Sequence, residues 1–109
     1  MIDLKELQKE VMRNKLEHGF NTTNTAEEFC RAYEELSEAF SKYNKGQPGV
    51  AEEFADVMIF ILGMCEKLGF DLEKEVVRKI EINKHRKYRK EKSPEGKDVF
   101  IRIRTPEDP

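Results

Sequence analysis

Two acidic pairs, Glu35-x-x-Glu38 and Glu53-x-x-Asp56, flank the turn Asn44-Lys45-Gly46-Gln47-Pro48-Gly49, and no other feature constrains the fold of this chain as strongly. Residues three apart share a helix face, so each pair converges, and a short turn folds the two helices back against each other. With a rise of about 1.5 Å per residue, the pairs meet at roughly equal height. Four carboxylates gathered in this way repel and raise one another's pKa unless a cation neutralises them. Hard oxygen ligands suit Mg²⁺ alongside substrate phosphates, with Mn²⁺ as the alternative.

At 109 residues the chain is expected to form one helical domain over residues 1–92, followed by a tail over 93–109. The charged fraction, 39%, exceeds the hydrophobic fraction of 38%, which leaves little apolar surface for a monomer to bury and favours a homo-oligomer with a shared core. A net charge of −2 exerts no overall pull on nucleic acid or membrane. Cys30 and Cys65 match neither a redox pair nor a zinc framework and read as reduced core thiols of a cytoplasmic protein. The longest apolar run, Val57 to Cys65, is too short to span a bilayer, and Met1-Ile2-Asp3-Leu4-Lys5 does not open a secretory leader.

Helical periodicity covers most of the chain. Leu4, Leu7 and Val11 mark a first helix ending near His18-Gly19-Phe20, and Thr25-x-x-Glu28 has the form of a capping box opening a second. The second helix carries the stripe Phe29, Tyr33, Leu36, Phe40 and Tyr43. Pro48 suits the first turn of a third helix running to about Leu68, and Asp71 caps a fourth that carries Leu72, Val76 and Ile80. In the tail, Ile101 and Ile103 alternate with Arg102 and Arg104, a weak strand pattern that needs a partner.

Acidic residues on a helix are usually solvated, and Glu35 and Glu38 taken alone look like surface, a third to half a turn from the aromatic stripe. Ala32 and Ala39, however, flank Glu35 on its own face and allow another helix to approach closely. On the third helix Asp56 is followed on its face by Ile59, Phe60 and Gly63, while Phe54, Val57, Ile61 and Cys65 form the opposite stripe. A helix apolar almost all round is expected to be buried, and an ionised Asp within it must be paired or bind a metal. Spacing leaves the register open, because Glu34 with Glu38 and Glu52 with Asp56 are also helical neighbours.

On the fourth helix Lys79, Asn83 and Arg86 continue the line of Leu72 and Val76, so an apolar face becomes cationic partway along. These groups suit phosphate oxygens, whereas Lys84, Lys87, Arg89 and Lys90 read as a solvated basic helix end.

Together these residues resemble a family. Glu34-Glu35-Leu36-Ser37-Glu38 followed by Glu53-Phe54-Ala55-Asp56 is similar to the E-E-x-x-E and E-x-x-D signature of MazG-like members of the all-α nucleoside triphosphate pyrophosphohydrolases. Lys79-Ile80-Glu81-Ile82-Asn83-Lys84 is similar to that family's downstream Lys and Asn segment, and the resemblance runs from about Lys15 to Tyr88. It implies an all-α, four-helix bundle completed by homo-oligomerisation as a homodimer or homotetramer, with Glu35, Glu38, Glu53 and Asp56 as Mg²⁺ ligands and Glu34 in support. It also implies hydrolysis of a nucleoside triphosphate to a monophosphate and pyrophosphate. Glu38 is the candidate for orienting the attacking water, Lys79, Asn83 and Arg86 for holding the departing pyrophosphate, and Phe20, Asn24 and Tyr43 for contacting the base. Two alternatives stand beside this reading. One is a phosphoribosyl-ATP or dUTP-type pyrophosphatase of the same superfamily; the other is a non-catalytic helical dimer that binds nucleotide or nucleic acid through Arg78 to Lys92.

Overall fold

The computed structural model describes residues 2–104 and 106. Four helices, α1 (Leu4–His18), α2 (Thr25–Asn44), α3 (Val50–Leu68) and α4 (Leu72–His85), are followed by a hairpin of β1 (Lys87–Lys92) and β2 (Asp98–Ile103). The chain divides into two compact units, one ending at Glu73 and the other beginning at Lys74. Among the described residues no helix is long and apolar enough to cross a membrane.

In the first unit α3 is the central element, packed by both α1 and α2. Asp3 caps α1 by accepting the Lys5 and Glu6 amides at 3.0 and 3.2 Å, and Gly19, at φ 69°, ends it in the left-handed conformation a side chain would disfavour. At the α2 entrance Asn24, and not Thr25, is the cap; its side chain accepts the Glu27 amide at 3.1 Å. The predicted capping box therefore does not form. Thr25 Oγ1 instead receives Lys67 Nζ, which also donates to the Thr23 carbonyl at 2.6 Å, and Glu28 turns inward to Lys15. These ties, with Lys42 meeting Glu53 near the connecting turn, make α2 and α3 an antiparallel hairpin. Pro48 lies in that turn, outside α3, whose N-cap is Gly49 at φ 101°.

Gln8 joins α1 to the end of α3. It is only 1% exposed, donates to the Phe70 carbonyl at 2.9 Å and to Glu66 Oε2 at 3.3 Å, and accepts the Leu72 amide at 3.0 Å. Every polar atom of this buried side chain is thereby engaged, which offsets its desolvation.

The apolar core of the described residues is small: Ala39, Leu62, Met64 and Cys65 are buried. The face α2 turns to α3 carries Glu28, Ala32, Glu35, Ala39 and Lys42, whereas its aromatic stripe is outside, from Phe29 at 49% to Tyr43 at 75% exposed. Small residues let the helices approach, and this close approach prevails over hydrophobicity in choosing the inner face. Nor is α3 buried all round. Its C-terminal half supplies most of the core, but Phe54, Met58 and Ile59 stay exposed. Cys65 is buried and Cys30 exposed, so one of the two expected core thiols is a surface thiol. Burial pushes the Cys65 thiol pKa up.

The second unit contains the rest of α4 and the hairpin. The isoleucines of the predicted strand find their partner in Lys87–Lys92, with Lys87 opposite Ile103 and Lys90 opposite Phe100. That segment is a strand and not the basic end of a helix; α4 stops at His85, and Arg86 follows it. A turn closed by the Ser93 amide on the Lys97 carbonyl at 2.8 Å, with Gly96 at φ 81°, joins the strands. Residues 98–103 thus pair with residues 87–92 in one antiparallel hairpin.

Candidate metal centre

Across the α2–α3 hairpin, one carboxylate oxygen from each of Glu35, Glu38 and Glu53 lies within 4.8 Å of the others. Glu35 and Glu38 come from adjacent turns of α2, and Glu53 from the first turn of α3, brought beside them by the short connection. Asp56 stands outside this triangle but lines a cavity with Glu35, and its charge bears on Glu35. Three of the four acids expected to converge thus meet in the structure. The buried acid of α3 is Glu53, 8% exposed, and not the expected Asp56, which is half-buried.

Lys42 completes the cluster. Its Nζ lies 2.7 Å from Glu53 Oε1, and its chain crosses the turn where Gly49 leaves room, since a Cβ at Gly49 would stand 3.2 Å from that Nζ. The pair holds the Glu53 carboxyl below its usual range, with the Lys42 hydrogen bond the first cause, and raises the Lys42 ammonium. Glu53 Oε2 is buried with no hydrogen-bond partner among the described residues. A hydrogen bond to the Glu53 carboxylate, followed by burial and the charges of Glu38, Glu53 and Asp56, lifts Glu35 to about 7 from 4.5. Three converging acids, one of them paired with an ammonium and with one oxygen buried and without a hydrogen-bond partner, form a donor set suited to a hard divalent cation.

Beside the cluster, two cavities of about 340 and 440 Å³ share Lys15, Phe20, Glu35 and Phe60. Asn21, Glu27, Glu28 and Arg31 complete the first, and Asn14, Val11, Glu10, Ile59 and Asp56 the second. Their size lies in the range of small-molecule sites. Lys15 is held by Glu28 at 2.8 Å in an ion pair whose side chains are 9% and 8% exposed, with its ammonium 5.6 Å from the Phe60 ring centroid. The second Glu28 oxygen is buried and unpaired among the described residues. α1 comes this close because residue 63 is glycine.

Of the base-contact candidates, Phe20 lines both cavities. Asn24 is committed to the α2 cap, and the neighbouring Asn21 lines the cavity instead. Tyr43 belongs to the exposed stripe of α2. Lys79 and Asn83 are exposed on α4 and Arg86 follows its end, all within the second unit. Sequence reasoning missed Lys42, although it lies four residues after Glu38 and seven after Glu35, on their face. It also missed Lys15 and Glu28, which sit on different helices and leave no local pattern. Comparison of the chain with protein-family models, with curated proteins and with solved structures yields no match.

Proposed function

We propose that this chain is a Mg²⁺-dependent nucleoside triphosphate pyrophosphohydrolase of the MazG-like type, acting as a homo-oligomer and producing a monophosphate and pyrophosphate. The observation that carries this reading is the buried, half-unpaired carboxylate of Glu53 facing Glu35 and Glu38 beside an aromatic-lined cavity. Glu35, Glu38 and Glu53 would hold the ion, with Asp56 the fourth ligand. Bound there, the ion supplies charge neutralisation, phosphate binding and acidification of a water. Glu38, the exposed member of the triangle, orients that water and receives its proton. Phe20 and Phe60, which line both cavities, are suited to apolar contact with a base, and Asn14 and Asn21 to hydrogen bonds with its edge. Lys79, Asn83 and Arg86 have the chemistry of phosphate ligands.

A panel of pure nucleoside triphosphates with Mg²⁺, read by phosphorus NMR in ¹⁸O-labelled water, tests the reading. Pyrophosphate and monophosphate are the expected products. Orthophosphate released from the γ position, or no hydrolysis of any triphosphate, overturns it.

The non-catalytic reading draws on one observation. Tyr88, Lys90 and Phe100 line a concavity of about 500 Å³ on the hairpin, an arrangement of aromatic and cationic groups that suits stacked bases. Steeply salt-dependent binding of single strands without metal-dependent hydrolysis would favour it.

A further inference from the structure

Lys42 occupies an unusual place for a lysine. Its stem starts on the last turn of α2, runs past Gly49 and puts the ammonium 2.7 Å from Glu53 Oε1, at the edge of the three-carboxylate triangle. A metal ligand cannot serve a lysine and a dication equally, because the two positive charges would share one small carboxylate at close range. The lysine side chain is one-third exposed while its partner is 10% exposed, so the lysine is the more solvent-accessible member of the pair. Gly49 carries no side chain to fix the stem, and the nearest atoms to a Cβ there are all Lys42's own.

Resting on the proposed metal function, we infer that Lys42 is an exchangeable counter-ion. It neutralises Glu53 while no metal is bound, is displaced when a divalent cation takes that carboxylate, and then pairs with the polyphosphate that the same cation attracts. The charge accounting supports the exchange. In the metal-free cluster the ammonium offsets the one charge of Glu53; a dication that takes this carboxylate supplies that offset twice over, and the ammonium freed from Glu53 stands next to the polyphosphate the cation attracts. Lys42 is then a ligand-positioning residue whose two roles have opposite signs.

That sign reversal is the test. Mn²⁺ alone and then inorganic triphosphate with saturating Mn²⁺ are titrated calorimetrically into wild type, Lys42→Met and Lys42→Gln, each checked for fold by circular dichroism. Removing the ammonium should tighten Mn²⁺ by about tenfold, the size of one competing charge pair, and weaken triphosphate by a similar factor. The metal-free variants should melt lower than wild type, and Lys42→Arg should restore triphosphate binding. Mn²⁺ binding that is unchanged or weaker in both neutral variants overturns the exchange while leaving the metal site in place. Tighter Mn²⁺ with undiminished triphosphate overturns the transfer to phosphate. Failure of wild type and variants alike to bind Mn²⁺ overturns the metal function and the exchange together.

Discussion

Gly63 of α3 faces Lys15 of α1 so closely that a methyl group on it would lie 3.0 Å from the lysine Nζ and 3.3 Å from Val11 Cγ1. Alanine favours a helix over glycine by about 1 kcal/mol, but overpacking a tight contact costs about 1–3 kcal/mol. The ammonium cannot simply swing away, because Glu28 holds it. Gly63→Ala should therefore destabilise the protein by about 1 kcal/mol in urea unfolding, and a stabilised variant would show that Lys15 is free to move.

The Lys15–Glu28 pair leads to a second expectation. Breaking a buried ion pair on one side strands the other charge, at a cost of about 3–5 kcal/mol, while replacing both partners with apolar residues is often close to neutral. Glu28→Leu should be strongly destabilising, and Lys15→Met with Glu28→Leu should recover most of the loss in a double-mutant cycle by chemical denaturation. Additive losses would mean that the two residues act separately.

Metal dependence should be centred on Glu53. Mg²⁺ should raise the melting temperature of the wild type, Glu53→Gln should remove nearly all of that increment, and Asp56→Asn, altering an acid outside the triangle, should remove less. Differential scanning fluorimetry at matched ionic strength reads this directly. Glu38→Gln should lose turnover far more than triphosphate affinity, and full activity in that variant would count against its role with water.

The pH response follows from Glu35, held at about 7 against a usual 4.5. In the metal-free protein the folded state binds this proton more tightly than the unfolded chain, so the associated stability is complete below pH 4.5 and is lost as pH rises towards 7. Glu53 works in the opposite sense. Its lowered carboxyl contributes stability above its usual pKa that is lost as pH falls through the lowered value. Because a ligand must be deprotonated, apparent Mn²⁺ affinity should rise by up to about tenfold per pH unit below pH ~7 and level off above it. Calorimetry between pH 5.5 and 8.5 would expose a flat profile, which would remove Glu35 from the ligand set.

Association is the fifth expectation. The α2 stripe has the alternating four- and three-residue spacing of a helix–helix seam. Its four aromatic rings, at roughly 200 Å² each, offer about 500 Å² per protomer, or on the order of 1,000 Å² across a symmetric pair, the lower bound for a specific interface. Phe54 and Met58 add exposed apolar surface from α3. Sedimentation at micromolar concentration should find an oligomer, Phe40→Glu should shift it towards monomer, and a stable wild-type monomer would end the idea.

The helices were legible because their punctuation is local: Gly19 and Gly69 stop α1 and α3 where the sequence says they should. The converging acids were legible for the same reason, since residues 35, 38 and 53 are placed by helical spacing and one short turn. Which face of α2 turns inward was not legible from hydrophobicity, because Ala32 and Ala39 are chosen for closeness and the aromatic stripe is left outside. The inner ion pairs were out of reach as well: Lys15 meets Glu28, and Lys42 meets Glu53, only once separate helices have packed. The basic run after His85 looked helical by composition, and its pairing with residues 98–103 depended on a turn whose partner strand carries only a weak alternation.

Gln8 has a consequence for how the first unit comes apart. The Leu72 amide lies at the start of α4, a place where backbone protons normally exchange with solvent through small, local openings. Here that amide donates to a side chain from α1 that is almost wholly enclosed. Its exchange therefore requires α1 to leave α3, so a proton near a helix entrance should exchange as slowly as those of the α1–α3 contact itself. The amide of residue 72 becomes a reporter of whether the amino-terminal helix is docked.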